Sequence, residues 1–533
     1  MATATGNNST TRCRERLLGA VVIAVCGCGL SACTVGPDFQ RPKAPEAAGY
    51  TPEKLATVTN SADIPGGSAQ RFVEAQDIPG QWWNLFHSDQ LNSLVKEALE
   101  ANPNLAAAQA ALRQANENVY AEQGGLFPTI SGSGSATREK ISGTSAISSG
   151  GGAGPGSSAF SPTLSLTSAS LNVSYSPDVF GGVRRQIESD ESQAEYERYQ
   201  LEATYLTLTS NVVNSAITIA SLRAQIAATE DIIKIESDQL EVVKAKFKLG
   251  AVAESDVLTQ QANLDQTQAT LPPLQKQLAQ ARNQLMAYLG RFPNQYRGES
   301  FDLASLKLPG ELPVSLPSQL VEQRPDVRAS EARLHEASAN VGVAIANQLP
   351  QFSITGQLGT TAAGFAQMFS PGTGLWSIAG SVTQSIFDAG TLEHRKRGAV
   401  AAYDQAAAQY RGTVLSAFQD VANALRAVQT DADALRADAL AEQSAFESLD
   451  LAREQYRLGA IDQITLLNAQ QTYQTALISR VRAQAARYSD TAALFQALGG
   501  GWWNRTDVSP DSEGTPDRFA LPPVQEIKLP DVL

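Results

Sequence analysis

Apolar and polar residues alternate strictly along Phe352-Ser353-Ile354-Thr355-Gly356-Gln357-Leu358 and again along Trp376-Ser377-Ile378-Ala379-Gly380-Ser381-Val382-Thr383. This period of two predicts a pair of strands with one apolar and one polar face, as suits a sheet that meets lipid on one side and water on the other. A fainter pair lies earlier, with Leu164 and Leu166 on one parity and Leu171, Val173 and Tyr175 on the other, so a bulge is expected near Ser168 to Ser170. Thr129 to Ala136 is its weak partner. Between the paired strands lie Ser/Gly-rich segments such as Ser148-Ser149-Gly150-Gly151-Gly152-Ala153-Gly154-Pro155, too polar for a core and suited to exposed loops. Phe365, Met368 and Phe369 in the second loop read as loop packing in preference to a lid.

Long helices separate these hairpins. From Val414, positions 418, 421, 425, 428, 432, 435, 439, 442, 446 and 449 keep a 4-3 spacing that only Glu442 interrupts with a charge. Sustained heptads predict helices packed side by side as in a coiled coil. Arg184 to Leu249 is less regular but equally free of proline. A helix from near Gly182 to Leu249 would reach on the order of 100 Å, at about 1.5 Å per residue. That length suits a duct crossing a compartment. The helices alone leave a solid structural coiled coil equally open, and the strands tip the balance toward a pore.

The chain repeats itself. Pro103 to Pro128 aligns without gaps on Pro325 to Pro350, an offset of 325 − 103 = 222, matching both prolines, Leu112/Leu334, Asn118/Asn340 and Val119/Val341. Phe247-Lys248-Leu249-Gly250-Ala251 pairs with Tyr456-Arg457-Leu458-Gly459-Ala460 at 459 − 250 = 209, an offset that also carries Leu289-Gly290 onto Leu498-Gly499. Each copy reads as helix, strand, loop, strand, long helix, Gly-marked break, helix. Four strands leave two open edges, which hydrocarbon does not tolerate. Two copies of the chain would give eight strands with a filled interior; three would give twelve and leave a lumen, which favours a trimer.

Composition and the N-terminus fix the setting. The 533 residues carry 41 basic and 54 acidic side chains, a balance that argues against a nucleic-acid partner. Beyond the first segment there is no run of about 18 apolar residues, so a membrane-integral mature chain would have to be a β-barrel. Arg12, Arg14 and Arg16 precede the apolar run Leu17 to Leu30, the layout of a secretory signal. The run ends in Leu30-Ser31-Ala32-Cys33, which resembles the bacterial lipobox, with an ordinary secretory signal as the alternative. By that resemblance residues 1–32 are removed and Cys33 carries a diacylglycerol and an N-acyl chain; Thr34, in place of Asp, fits sorting to the outer membrane. All four cysteines (13, 26, 28 and 33) lie here, so the mature chain keeps only Cys33 and forms no disulfide or Cys-based metal site. His87, His335 and His394 are far apart, His335-Glu336 lacks the second histidine of a zinc helix, and no phosphate loop or G-x-S-x-G motif is present. No enzyme is expected, and no cofactor or metal besides the covalent lipid.

Several motifs in one order carry a family resemblance across essentially the whole mature chain. Cys33-Thr34-Val35-Gly36-Pro37-Asp38-Phe39 with Arg41-Pro42, then Trp82-Trp83 and Phe86, resemble the NodT-type lipoproteins of the TolC-like outer membrane efflux factors. Leu316-Pro317-Ser318, Arg324-Pro325-Asp326-Val327, Val341-Gly342-Val343-Ala344 before Pro350, and Ala497-Leu498-Gly499-Gly500-Gly501-Trp502 continue the match. The resemblance implies an α+β membrane protein: a homotrimer with a twelve-stranded β-barrel, four strands per chain, a long periplasmic α-helical barrel and a mixed equatorial belt. On that plan 1–32 is the signal peptide, 33–90 the lipidated segment and equatorial region, and 91–290 repeat 1, with its strand pair at about 128–180. Residues 291–317 form an equatorial linker, 318–499 repeat 2 with strands at about 350–387, and 500–533 the equatorial tail.

The same resemblance implies docking to a periplasmic adaptor, or membrane fusion protein, and an inner membrane RND-type pump, with outer membrane lipid around the barrel. The chain itself would be a passive duct that opens like an iris at its periplasmic helix tips. Glycine adopts positive φ without penalty, so Gly250 and Gly459 can reverse the chain between helices. A plain hairpin turn is the simple reading of both. By resemblance they are adaptor-contacting tips, Lys248, Leu249, Gly250 and Ala251 in one and Arg457, Leu458, Gly459 and Ala460 in the other. Beyond the second tip the motif puts Ile464, Asn468 and Gln471 at the periplasmic constriction, where relatives often carry Leu, Asp and Arg. With that charged pair absent, Asp256 is the remaining acidic candidate, and it could equally cap the following helix. The other readings kept in view are a structural coiled-coil lipoprotein and the duct of a type I secretion system.

Overall fold

The computed structural model describes residues 34–45, 49–53, 56–140, 163–299 and 301–505. The signal segment, Cys33, the Ser148–Pro155 loop and the tail beyond 505 lie outside the described residues. The order begins β1 (Arg71–Glu74), α1 (Asp89–Ala101), α2 (Pro103–Gln123), β2 (Thr129–Lys140), β3 (Thr163–Tyr175), α3 (Gly182–Lys248) and α4 (Glu254–Tyr288). It then repeats as β4 (Glu311–Val314), α5 (Pro317–Gln323), α6 (Pro325–Ala346), β5 (Gln351–Ala362), β6 (Gly374–Thr383), α7 (Thr391–Arg457) and α8 (Gln463–Ala497). Both long helices have 67 residues, and both helices that follow the breaks have 35. From α2 and α6 onward the copies differ by 222 − 209 = 13 residues, all taken up between the start of β2 or β5 and the start of the long helix.

Two compact units emerge. The first is built from Ala107–Leu201 and Asp326–Thr413 with the N-terminal residues up to Lys43. Its sheet has the order β2-β3-β5-β6, antiparallel throughout. The expected bulge is absent, because β3 pairs without a break from Thr163 to Ser174 against β2 and from Thr167 to Tyr175 against β5. Small residues at 168–170 let the ladder pass, and hydroxyl contacts between Ser135 and Ser168 (2.8 Å) and Ser133 and Ser170 (2.9 Å) hold the register. The change of parity is therefore real. Leu164 and Leu166 share the polar face with Ser168, Ser170 and Asn172, while Leu171, Val173 and Tyr175 join Phe352, Ile354, Leu358, Trp376, Ile378 and Val382 on the other. That apolar face lies open, with Trp376 75% and Ile378 76% exposed. The polar face continues across β5 and β6 through a Ser353–Ser381 contact of 2.7 Å.

In the β5–β6 loop only Met368 is buried; Phe365 and Phe369 are exposed, which corrects the expectation that all three pack. The single 3-10 turn at Phe365–Gln367 tucks Met368 under the loop, where Thr373 Oγ1 donates to its carbonyl, and leaves both rings outside.

Below the sheet, buried Arg185 on α3 gathers the N-terminal segment. Its Nε donates to the Val35 carbonyl (3.1 Å), Nη2 to Asp38 Oδ1 (2.7 Å) and Nη1 to Glu188 Oε2 (2.6 Å). Gly36, at φ +99°, approaches Gly342 of α6 so closely that a Cβ would meet its Cα at 2.5 Å. His335 is held between the Phe39 ring, 4.3 Å away and stacked, and Glu188 Oε1 at 2.9 Å. Asp178 caps α3 through the amides of Val183 and Arg184, and Asp388 caps α7 through that of Leu392.

The second unit holds Ala44–Ala106, Glu202–Pro325 and the chain from Val414 on. Parallel β1 and β4 pair Arg71 with Glu311 through Glu74 with Val314. Beside them buried Trp82 stacks on Phe495 (5.5 Å) and meets Phe86 edge-on (6.3 Å). Gly499 at φ +94° lets the Gln323 carbonyl approach, and that carbonyl accepts from Trp502 Nε1 at 2.6 Å. Along α7 the seam is buried at Val421, Leu425, Val428, Ala432 and Leu435. Farther on it shifts to Ala445, Leu449 and Ala452, leaving Phe446 half exposed. A straight helix drifts about 20° per heptad away from a 3.5-residue stripe, which accounts for the shift. Glu442 pairs with Arg480 of α8 (Nε to Oε2 2.7 Å), so the charge in the seam is a bridge between helices.

Two buried charge clusters give tests of this unit. Arg505 and Glu202 pair at 2.8 Å with 7% exposure each, the guanidinium over the Tyr205 ring at 3.4 Å. Glu202→Ala removes the carboxylate of this buried pair and should cost about 3–5 kcal/mol, read as a lower urea midpoint. Asp431 on α7 is pushed up to about 7 by burial and by the neighbouring Asp490 of α8, against the opposing pull of Arg487. The folded chain then holds a proton that the unfolded chain lacks. The associated stability is full below the ordinary aspartate value and is lost as pH rises toward 7. Asp431→Asn is expected to flatten the decline of the thermal midpoint between about pH 4 and about pH 7.

Candidate functional site

The two glycine breaks fold alike. Gly250 and Gly459 sit at φ +74° and +75°. Ala251 N donates to Lys246 O (2.9 Å) and Gly250 N to Phe247 O (2.9 Å); Ala460 N donates to Gln455 O (2.8 Å) and Gly459 N to Tyr456 O (3.1 Å). This is the Schellman closure, which needs the left-handed residue that glycine supplies. It turns Leu249 and Leu458 outward, 84% and 72% exposed, with Lys248, Ala251, Arg457 and Ala460 also exposed beside them. The breaks are not identical in charge, since Arg457 is tied to Glu454 (2.8 Å) while Lys248 has no such partner among the described residues. Lys246 Nζ lies over the Tyr456 ring, 4.1 Å from its centre, and joins one break to the other.

An aspartate engages the first turn of each following helix, Asp462 from the N-cap and Asp256 from the third helical position. Asp462 Oδ1 accepts from Thr465 N (2.9 Å), and Asp256 Oδ2 accepts from Ala253 N (3.2 Å). Asp256 is thus engaged as a cap. Ile464, Asn468 and Gln471 lie at i, i+4 and i+7 on α8, all exposed and all on one face.

The opposite face of α8 is buried and places Gln463 and Gln470 on either side of Leu466 and Leu467. Gln463 Nε2 donates to Gln260 Oε1 of α4 at 2.7 Å, and Gln470 Nε2 donates to Gln239 Oε1 of α3. Gln260 Nε2 reaches the Glu236 carbonyl (3.3 Å), and Asn263 Nδ2 reaches Glu236 Oε1 (2.8 Å). These rungs are only half satisfied: Gln463 Oε1, Gln470 Oε1, Gln239 Nε2 and Glu236 Oε2 are buried without partners. Burial raises the Glu236 carboxyl above its ordinary value, and hydrogen bonds from Thr267 and Asn263 oppose this. Each of these amide bonds carries about 0.5–1.5 kcal/mol net, beside the buried side chains of Leu466 and Leu467 on the same helix.

The family model described as outer membrane efflux protein matches residues 94–291 and 316–500. The chain belongs to this family. The toluene efflux pump outer membrane protein TtgC of Pseudomonas putida is 27% identical over 485 residues, 91% of this chain and 96% of that protein. The pyoverdine export outer membrane protein OpmQ, also of Pseudomonas putida, is 30% identical over 440 residues, 82% of this chain and 92% of that one. Among solved structures, the outer-membrane channel OprN matches with a TM-score of 0.76 at 28% identity, covering 88% of this chain and all of its own. This outer membrane efflux protein is therefore a channel of an efflux system, located in the outer membrane.

Within this efflux protein the expected site residues fall into three groups. The Gly250 and Gly459 breaks present exposed apolar side chains; Ile464, Asn468 and Gln471 share an exposed face; Asp256 belongs to a helix cap. Lys246, Glu236 and the four glutamines of the rungs were not singled out in the sequence, and Tyr456 was marked only as part of the repeated motif. Glutamine on a heptad helix reads as surface, and only the pairing of α3 and α4 with α8 reveals it as contact. Replacing Gln463 and Gln470 together by Ala should loosen α8. The expected result is an open-to-closed ratio higher by roughly tenfold in planar bilayers, at a stability cost of one or two amide contacts. An unchanged ratio would show that the rungs do not restrain opening.

Proposed function

We propose that three copies close a twelve-stranded β-barrel in the outer membrane, continued by a periplasmic α-helical barrel with a mixed equatorial belt. The trimer is the passive duct of a tripartite system, fed by an inner membrane RND-type pump through a periplasmic adaptor. The observation that carries this reading is the four-stranded sheet with β2 and β6 as open edges, an exposed apolar face and a face of serine hydroxyls. Hydrocarbon forbids open edges, and twelve strands leave a water-filled lumen where eight would be plugged by side chains. Repeats 91–290 and 318–499 supply strands and helices, with 33–90, 291–317 and 500–533 in the belt.

In this reading the Lys248–Ala251 and Arg457–Ala460 turns meet the adaptor with their exposed leucines, and Ile464, Asn468 and Gln471 line the constriction. Neutral amides there would make a closed ring held by contact rather than by ion pairs. Opening swings α8 away from α3 and α4 across the half-satisfied rungs, which a few kcal/mol of adaptor contact can offset. Lipidation of Cys33 by diacylglycerol and an N-acyl chain is supported by its neighbours. Val35 N donates to the Phe180 carbonyl (3.1 Å) and Thr34 lies against Gly181, a few residues past the foot of β3.

Detergent-extracted protein is expected to run as a trimer that falls to monomer only on boiling and to conduct ions in planar bilayers. A deletion strain should become more susceptible to some members of a broad set of antibiotics, dyes and metals. A monomer that conducts nothing, or a deletion strain with unchanged susceptibility throughout that set, would sink the proposal.

A further inference from the structure

Charge is almost absent from the two hairpins. Across residues 129–175 and 351–383 the charged side chains are Arg138, Glu139 and Lys140 alone. Alternation along β2 divides them: Glu139 pairs with Leu164 on the serine face, whereas Arg138, opposite Ser165, and Lys140, opposite Thr163, continue the face that carries Ile130, Leu171, Leu358 and Trp376. Both cations are exposed, and neither has a carboxylate partner among the described residues. The unpaired cations thus sit on the apolar side of the sheet, at its loop end.

Their height along the strand makes that placement intelligible. Eight residues separate Ile130 from Arg138, about 26 Å at about 3.3 Å per residue, or roughly 20 Å of height in a strand tilted near 40°. The apolar band of an outer membrane barrel is about 25 Å tall, so the pair stands where hydrocarbon gives way to the far headgroups. A cation costs about 2–4 kcal/mol at mid-membrane and close to nothing at that boundary. Guanidinium and ammonium groups there, with neutral Ser165, Thr163 and Thr167 around them, suit phosphate oxygens approached from the side.

We propose that Arg138 and Lys140 form a binding site for the phosphates of a glycolipid in the outer leaflet, a phosphorylated acylated sugar whose chains lie along the Trp376 and Leu358 face. This rests on the barrel reading above, which turns that face outward. The loop end is the far end because the other end of each hairpin joins the helices. A sugar diphosphate offers two separated anionic groups to a pair of cations two residues apart, while a glycerophospholipid offers one.

Native mass spectrometry of the full-length trimer tests this with four probes: bisphosphorylated lipid A, dephosphorylated lipid A, phosphatidylglycerol and inorganic phosphate. The wild-type trimer should retain bisphosphorylated lipid A roughly tenfold better than the dephosphorylated form, and Arg138→Gln/Lys140→Gln should abolish that preference. High salt should weaken it, as for exposed charges. Equal retention of phosphatidylglycerol, saturation by inorganic phosphate alone, or an undiminished preference in the double variant would overturn the proposal. A heat-modifiable trimer on gels, checked before lipid is added, keeps the two readings apart: its absence in the wild type overturns the barrel and this site with it. Arg138→Lys/Lys140→Arg, which keeps both charges, should retain the lipid preference, and its loss there would equally count against the site.

Discussion

In hydrocarbon no backbone amide or carbonyl can go without a partner, and that single constraint organises this chain. A soluble four-stranded sheet can leave its edges to water. Here β2 and β6 are edges beside an exposed apolar face, so in hydrocarbon this sheet alone would leave backbone groups unpaired, the deficit that the proposed closure by further copies would meet. On the proposed reading, strand count, lumen and stoichiometry all follow from closing that deficit.

Interior chemistry changes along the chain according to what each region has to resist. At the Trp82–Phe495 stack and the Arg505–Glu202 pair, buried area and desolvated charge make separation costly. At the α8 contacts with α3 and α4, glutamines stand among the leucines and several amide atoms stay unpaired. An interface of that kind gives up little when it parts, because water can take over each bond that breaks. Rigidity and compliance are thus written in residue type, within helices of the same length and geometry.

Much of this was legible in the sequence, and the exceptions have physical causes. Strict alternation in Phe352–Leu358 and Trp376–Thr383 marked two strands; the first pair was faint because serine and glycine fill it and hydroxyl contacts, not hydropathy, set its register. A change of parity in β3 looked like a bulge but is an unbroken ladder whose apolar side changes over. Glu442 looked like a flaw in the seam because its partner, Arg480, lies on the next helix. Asp256 was ambiguous because a carboxylate at the third helical position suits both a cap and a lumen, and only the contact to Ala253 N assigns its present engagement. The glutamine rungs gave no signal, since no one-dimensional pattern distinguishes a buried amide from a solvated one.

The two copies have long helices of identical length, 67 residues, and following helices of 35, while the hairpin regions differ by 13. A helix is a ruler with a fixed rise, so one extra heptad in α3 alone would push its end about 10 Å beyond that of α7. The hairpin regions of this chain carry its whole 13-residue difference and the helices none. An insertion in one long helix alone would leave the two breaks at unequal depth, whereas matched insertions in both would keep them level.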